Sequence, residues 1–238
     1  MKYMGSKNRI AKHLLPIILK NRPYYQWYVE PFVGGANMID KVGGNRIGGE
    51  YNKYIVSMWN ALIHGWIPYI LTIEMYVDIR DNKGNYPDNV VGWAGIACSY
   101  SGKWFGGFAG KVKTKAGIRD YQAEAHKNVM AQIDNLKGVI FLSGSYEKIE
   151  IPPKSIIYCD PPYAGTTKYK DNFNHYNFWK WCRDMAFKQH KVFISEYTAP
   201  PDFTCLWSQE VKSSLSANGK SGGNKISTEK LFTYKVKL

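Results

Sequence analysis

The tetrapeptide Asp160-Pro161-Pro162-Tyr163 follows directly on the apolar run 155–159 (S-I-I-Y-C). It sets a carboxylate, a fixed carbonyl and an aromatic ring within four residues. Two successive prolines fix φ and remove N–H donors, so the turn is stiff and its carbonyls stay free to accept. The set suits an exocyclic amine on a flat ring. Asp160 and the Pro161 carbonyl can each accept one N–H, and Tyr163 can stack on the ring. Ligands of open α/β sheets bind at the carboxyl ends of strands, which is where the tetrapeptide would lie. The plainer reading is a Pro-rich turn whose Asp caps the next segment.

A second constellation is Tyr28-Val29-Glu30-Pro31-Phe32-Val33-Gly34-Gly35-Ala36, a strand, a sharp turn and a Gly-rich approach to a helix. Glycines there let a ligand come close to the backbone. Sixteen residues after Gly34 a second apolar run ends at Glu50, followed by Tyr51-Asn52. A carboxylate at that point is the usual acceptor for ribose hydroxyls in nucleotide-like sites. The turn is not G-x-G-x-x-G, so a dinucleotide fold is not supported. A third motif, Tyr3-Met4-Gly5-Ser6-Lys7, opens a basic amphipathic helix over 10–20. Gly219-Lys220-Ser221 ends like a phosphate loop, but position 214 is Ser rather than Gly, which excludes a P-loop.

These residues need a scaffold, and the hydrophobic pattern supplies one. Short apolar runs at 24–32, 45–51, 138–143, 155–160 and 191–197 read as strands. Stretches 52–64, 120–136 and 173–189 read as helices, and 206–214 with 228–237 as a terminal strand pair. Buried strands alternating with helices argue an α/β fold with a mostly parallel sheet covered on both faces. Residues 61–136, rich in Gly, Tyr, Trp and Asn, break the rhythm. They read as an inserted lobe within a domain formed by 1–60 and 137–238. With 238 residues, 45% of them hydrophobic, the chain can bury a sizeable core.

The formal net charge is +13. Residues 1–22 hold six basic residues and no acid, 103–119 hold five and no acid, and 211–238 hold six lysines against Glu229 alone. Such blocks suit a polyanion, nucleic acid before a membrane surface, since no apolar run nears the roughly 20 residues needed to span. The stretch 213–227 reads as a basic loop. Cys98, Cys159, Cys182 and Cys205 form no C-x-x-C pair, and no H-E-x-x-H occurs, so no metal is expected. A reduced, cytoplasmic compartment is the simplest account.

Taken in order, Tyr3-Met-Gly-Ser-Lys7, Glu30-Pro-Phe-Val-Gly34 and Asp160-Pro-Pro-Tyr163 resemble the Dam-type DNA adenine-N6 methyltransferases over nearly the whole chain. The resemblance implies a Rossmann-like seven-stranded sheet with a reversed C-terminal hairpin, and a target-recognition lobe at 61–136. It implies S-adenosylmethionine as methyl donor, held by Tyr3, Lys7, Phe32, Gly34, Gly35, Glu50, Ser145 and Asp160. Asp160, Pro161 and Tyr163 would be catalytic. Duplex DNA would be the partner, gripped by Lys103, Lys111, Lys113, Lys115, Arg119 and Lys220. A monomer or weak dimer, bacterial or phage-encoded in a bacterial host, would fit, as would a place in restriction-modification. Two departures stand out. Ser145-Tyr146 replaces the family's frequent Asp-Phe, and Ala36-Asn37 stands where a further glycine is common.

On this reading Asp160 and the Pro161 carbonyl draw the adenine amine toward a tetrahedral nitrogen, and the base must first leave the duplex. The same amine chemistry would serve cytosine N4, RNA adenine or a glutamine amide. Asp in the first motif position favours adenine over cytosine and glutamine, where Ser or Asn is commoner in related families. A catalytically idle DNA-binding module of the same fold is the alternative from another class, and the intact motif argues against it. The charge pattern yields a test. DNA affinity should fall steeply with salt, and replacing Lys111, Lys113 and Lys115 together should flatten the slope of log affinity against log salt. An unchanged slope would route the DNA elsewhere.

Overall fold

The structure, a computed structural model, describes residues 1–115, 117–163, 173–212 and 226–236. The helices are α1 (Ala11–Ile18), α2 (Lys53–Ile63), α3 (Ile73–Asp81), α4 (Asp88–Gly92), α5 (Tyr121–Leu136) and α6 (His175–Phe187). The strands are β1 (Tyr28–Glu30), β2 (Arg46–Glu50), β3 (Lys111–Thr114), β4 (Gly117–Asp120), β5 (Val139–Ser143), β6 (Ile156–Cys159), β7 (Lys191–Glu196), β8 (Thr204–Lys212) and β9 (Ile226–Thr233). Seven strands make one sheet in the order β5-β2-β1-β6-β7-β9-β8, and β3-β4 form a separate ribbon. The last two strands of the large sheet run antiparallel, which is the reversed C-terminal hairpin that the resemblance implies.

The chain divides into two compact units, Met1–Lys12 with Pro31–Glu150, and His13–Glu30 with Ile151–Leu238. In the first, β2 pairs parallel with β5 from Arg46↔Val139 to Glu50↔Ser143. Asn52 caps α2 by accepting from the Tyr54 N–H, and Asp120 caps α5 by accepting from Gln122 and Ala123. Such caps satisfy backbone donors that the first helical turn leaves unpaired. Helix α5 buries Gln122, Ala125, Val129, Gln132, Ile133 and Leu136, a stripe with helical spacing. Between α2 and α5 the chain forms α3, α4 and a π-helical turn Trp93–Ala97, then the β3-β4 ribbon. Helix α4 crosses α2 so closely that a Cβ on Gly92 would lie 2.1 Å from the Tyr54 carbonyl oxygen.

In the second unit β1, β6 and β7 are parallel neighbours. Their side chains are nearly all buried, as expected of strands covered on both faces. The aromatic run at 24–32 is strand only over Tyr28–Glu30. The Gln26 N–H donates to the Pro23 carbonyl, which makes a turn, and Tyr24 and Tyr25 are 77% and 78% exposed. Their β-propensity reflects fit to a half-buried pleated surface, and no such surface covers them.

Arg46 shows how the first unit is tied together. Its guanidinium is buried in β2 and donates to the carbonyls of Ile39, Asn135 and Lys137 at 3.3, 2.6 and 2.7 Å. The last two belong to the C-terminal end of α5, where unpaired carbonyls and the helix dipole favour a cation. Arg46→Met should destabilise the chain by on the order of 3–5 kcal/mol, because buried carbonyls lose their donors. Arg46→Lys should recover only part of this, since an ammonium lacks the planar fork. Urea melts of the three proteins check it; full recovery by lysine would show that charge alone matters.

Candidate active site

In the first unit the Gly-rich turn is held from several sides. Gly34 lies at φ +42 and Ala36 at φ 53, both left-handed. The Gly34 carbonyl accepts from the Trp59 indole N–H at 2.9 Å. The Gly35 and Ala36 carbonyls both accept from the Gln132 amide, at 3.1 and 2.9 Å. The Gly34 N–H donates to Glu50 Oε2 at 3.2 Å, and the Asn52 N–H donates to Glu50 Oε1 at 3.0 Å. The Tyr3 side chain packs against the glycines. A Cβ on Gly34 would stand 2.6 Å from the Tyr3 ring, and one on Gly35 would stand 2.6 Å from Tyr3 Cβ. Both positions therefore need glycine because of this contact.

Burial raises the Glu50 carboxyl above its ordinary value, and the N–H groups of Asn52, Gly34 and Tyr51 pull it back. Lys7 is buried, with its ammonium donating to the Gly5 carbonyl at 3.2 Å. The Phe32 ring lies 5.4 Å from that of Tyr146, tilted by 30°. Ser145 precedes the short helical turn Tyr146–Lys148, just past the carboxyl end of β5. Of the residues that the sequence nominates for the donor, the structure thus brings Tyr3, Gly34, Gly35 and Glu50 into direct contact around one turn. It places Lys7, Phe32 and Ser145 in the same unit.

In the second unit the carboxyl ends of three neighbouring strands carry acids. Glu30 ends β1, Asp160 follows β6 and Glu196 ends β7. Glu30 accepts from the Tyr28 hydroxyl at 2.8 Å, and Glu196 accepts from the Tyr197 N–H at 2.7 Å. Pro161 is buried, while Asp160 and Tyr163 are half-buried. The Tyr163 hydroxyl donates to Glu229 at 2.9 Å, and its ring meets the Tyr197 ring at 85° with centroids 4.6 Å apart. Burial, then the charges of Asp160 and Glu229, hold the Tyr163 phenol well above its ordinary pKa. It is therefore a protonated donor at neutral pH. Among the described residues no group of three or more His, Cys, Asp or Glu is arranged to hold a metal ion.

The basic residues nominated for DNA lie in the first unit, apart from Lys220, which falls outside the described residues. Lys103, Lys111, Lys113 and Lys115 are exposed, with Lys111 and Lys113 on β3. Lys111 approaches Asp120 at 3.8 Å. Arg119 donates twice to Glu124, at 2.6 and 2.9 Å, and lies over the Tyr121 ring. Glu124 also accepts from Lys2 at 2.9 Å, and the two cations, Arg119 first, lower its pKa to about 2. Sequence reasoning missed Gln132, Glu124, Trp59, Tyr197 and Glu229. Only Gln132 left a sign, a polar residue within the apolar stripe of α5.

No helix among the described residues is long and apolar enough to cross a membrane. The crystal structure of SMU.472, a candidate methyltransferase complexed with SAH, aligns with the chain at a TM-score of 0.38 and 9% identity. The alignment covers 98% of this chain and 53% of that one, so the chain spans about half the length of the structure it matches. The D12 class of N6 adenine-specific DNA methyltransferases matches residues 3–195, well over half of the sequence and including all three motifs. The chain, with its Asp160-Pro161-Pro162-Tyr163 turn at the carboxyl end of a parallel strand, belongs to the D12 class N6 adenine-specific DNA methyltransferase family.

Proposed function

We propose that the protein transfers a methyl group from S-adenosylmethionine to the N6 amine of an adenine flipped out of duplex DNA. The observation that carries this reading is the Asp160-Pro161-Pro162-Tyr163 turn, directly after β6, in a chain of this family. Residues 61–136 serve as the target-recognition lobe, with the exposed lysines of β3 and its neighbours on phosphates. Lys103 and Arg119 contribute to the same track, Arg119 after release from Glu124. Phosphate contacts of this kind orient the duplex without reading its sequence.

The donor supplies an electrophilic methyl group on a sulfonium. The residues present fit it: the Glu50 carboxylate accepts from the backbone N–H groups of Asn52, Gly34 and Tyr51, and its remaining lone pair can accept from a ribose hydroxyl. Tyr3, Lys7, Phe32, Gly34, Gly35 and Ser145 complete the donor's surroundings in the first unit. The adenine amine is a poor nucleophile because its lone pair is delocalised into the ring. Asp160 and the Pro161 carbonyl accept its two N–H groups and favour a tetrahedral nitrogen with a localised lone pair. The carboxylate also faces the positive charge that develops on this nitrogen, so it acts most strongly in the transition state. Tyr163 offers the stacking face for the base. The extra proton leaves after transfer, so Asp160 need not be a strong base.

Asp160→Ala should raise the barrier by on the order of 3–4 kcal/mol, slowing transfer roughly a hundred- to a thousandfold, while DNA binding persists. Asp160→Asn should be milder, because an amide oxygen still accepts. Transfer of labelled methyl to DNA measures both, and full activity in the alanine variant would overturn the mechanism. A protein that binds DNA and never transfers a methyl group would be the idle module instead.

Glu50 yields a pH dependence. Its raised pKa means that it takes up a proton at a higher pH than the ordinary 4.5, and protonation removes an acceptor from the ribose site. Donor affinity should therefore fall as pH drops through this raised value, and be flat there in Glu50→Gln. Calorimetric titration with S-adenosylmethionine across acid pH reads this; an identical pH profile in both proteins would move the ribose site elsewhere.

A further inference from the structure

We propose that Glu229 is a positioning residue for methyl transfer, fixing the Tyr163 ring in the plane on which the target base stacks. The inference rests on the functional reading above and adds a residue that neither motif nor family match singles out, since Glu229 lies beyond the matched residues 3–195.

Two restraints meet on Tyr163. Its hydroxyl donates to Glu229 Oε2 at 2.9 Å, and its ring stands nearly perpendicular to that of Tyr197, centroids 4.6 Å apart. The hydroxyl contact pins the far end of the side chain, and the neighbouring ring resists rotation about the Cβ–Cγ bond. Together they leave the ring one orientation. A stacking platform needs this, because a ring free to turn would have to be ordered again with each incoming base.

The sheet explains how a residue 66 positions away reaches the motif. Strands β7 and β9 run antiparallel, with Glu196 opposite Lys230. Glu229 is the next residue of β9 past that pair, level with the end of β7, where the chain continues into Tyr197. Both restraints on Tyr163 thus come from this one end of the β7-β9 pair. The reversed hairpin delivers an acid from the C-terminal part of the chain to the end of the sheet that carries Asp160.

The choice of an acid also asks for a reason. Asp160 and Glu229 both bear on the Tyr163 phenol, and each raises its pKa after burial has done so. A second carboxylate near the first is unfavourable unless something is gained. Here the gain is a hydrogen bond to a carboxylate, stronger than one between neutral groups, that keeps the phenol protonated and its oxygen fixed.

The test uses the full chain, S-adenosylmethionine and DNA whose modified adenine has first been mapped. E229A and Y163F should each lower kcat by about tenfold, and the double variant should be no worse than either, because all three lose the same contact. E229Q should recover most of the loss, since its amide oxygen can accept from the phenol. KM for the donor should stay as in the wild type. The fluorescence rise of 2-aminopurine placed at the target position, which reports the extruded base, should shrink in E229A and Y163F. Thermal melts guard against misfolding; a general loss of structure would lower donor affinity too. An active wild type with an equally active E229A, or losses that multiply in the double variant, would overturn the inference alone. An inactive wild type would overturn it together with the functional reading on which it rests.

Discussion

Ala36 holds a left-handed backbone, φ 53, two residues after Gly34 at φ +42, and the first unit is built to keep that turn in place. A residue with a Cβ rarely adopts this conformation, and it persists only where the surroundings over-determine it. Here the surroundings are explicit. Trp59 from α2 and Gln132 from α5 donate to three consecutive carbonyls of the turn, and Glu50 accepts the Gly34 N–H. The Tyr3 ring covers the glycines so closely that neither could carry a side chain. Helices α2 and α5 are therefore more than cover for the sheet. Their buried polar groups reach in to the Gly34–Ala36 turn, and Arg46 fastens the C-terminal end of α5, about one turn beyond Gln132.

The second unit answers a different problem, how acids can be tolerated at the buried ends of strands. Glu30 and Glu196 are almost fully buried, and an unpartnered carboxylate there would be costly. Each is met by a donor close at hand, a tyrosine hydroxyl for Glu30 and a backbone N–H for Glu196. The hydroxyls of Tyr158 and Ser195 are hydrogen-bonded to each other at 2.8 Å. Tyrosines serve the purpose because burial keeps their phenols protonated. The acids and phenols form an ordered polar layer above an apolar strand core, and the Asp160 turn rises from that layer.

Much of this was legible in the sequence, for physical reasons. Strands such as Ile156–Cys159 are short apolar runs closed by residues that cannot continue a ladder, and prolines at 161 and 162 end the pairing unambiguously. Helix α5 was visible from Asp120, which caps it, through a regular apolar stripe. What stayed hidden depends on tertiary pairing. No local pattern tells that Glu229 will stand beside Tyr163, because that follows from the β7-β9 register. The same holds for Arg119, nominated for DNA and engaged twice by Glu124. Exposed Tyr24 and Tyr25 misled in the opposite direction, since aromatic residues imitate a strand even where a turn forms.

The most direct measurement is the identity of the product. Duplex DNA incubated with the protein and S-adenosylmethionine carrying a labelled methyl group can be digested to nucleosides and separated by mass. The account predicts label in N6-methyladenosine of the deoxy series, its amount falling sharply with Asp160→Ala. Label on cytosine N4, or in the protein and not the DNA, would contradict adenine as the substrate, and no label in any fraction would contradict methyl transfer itself.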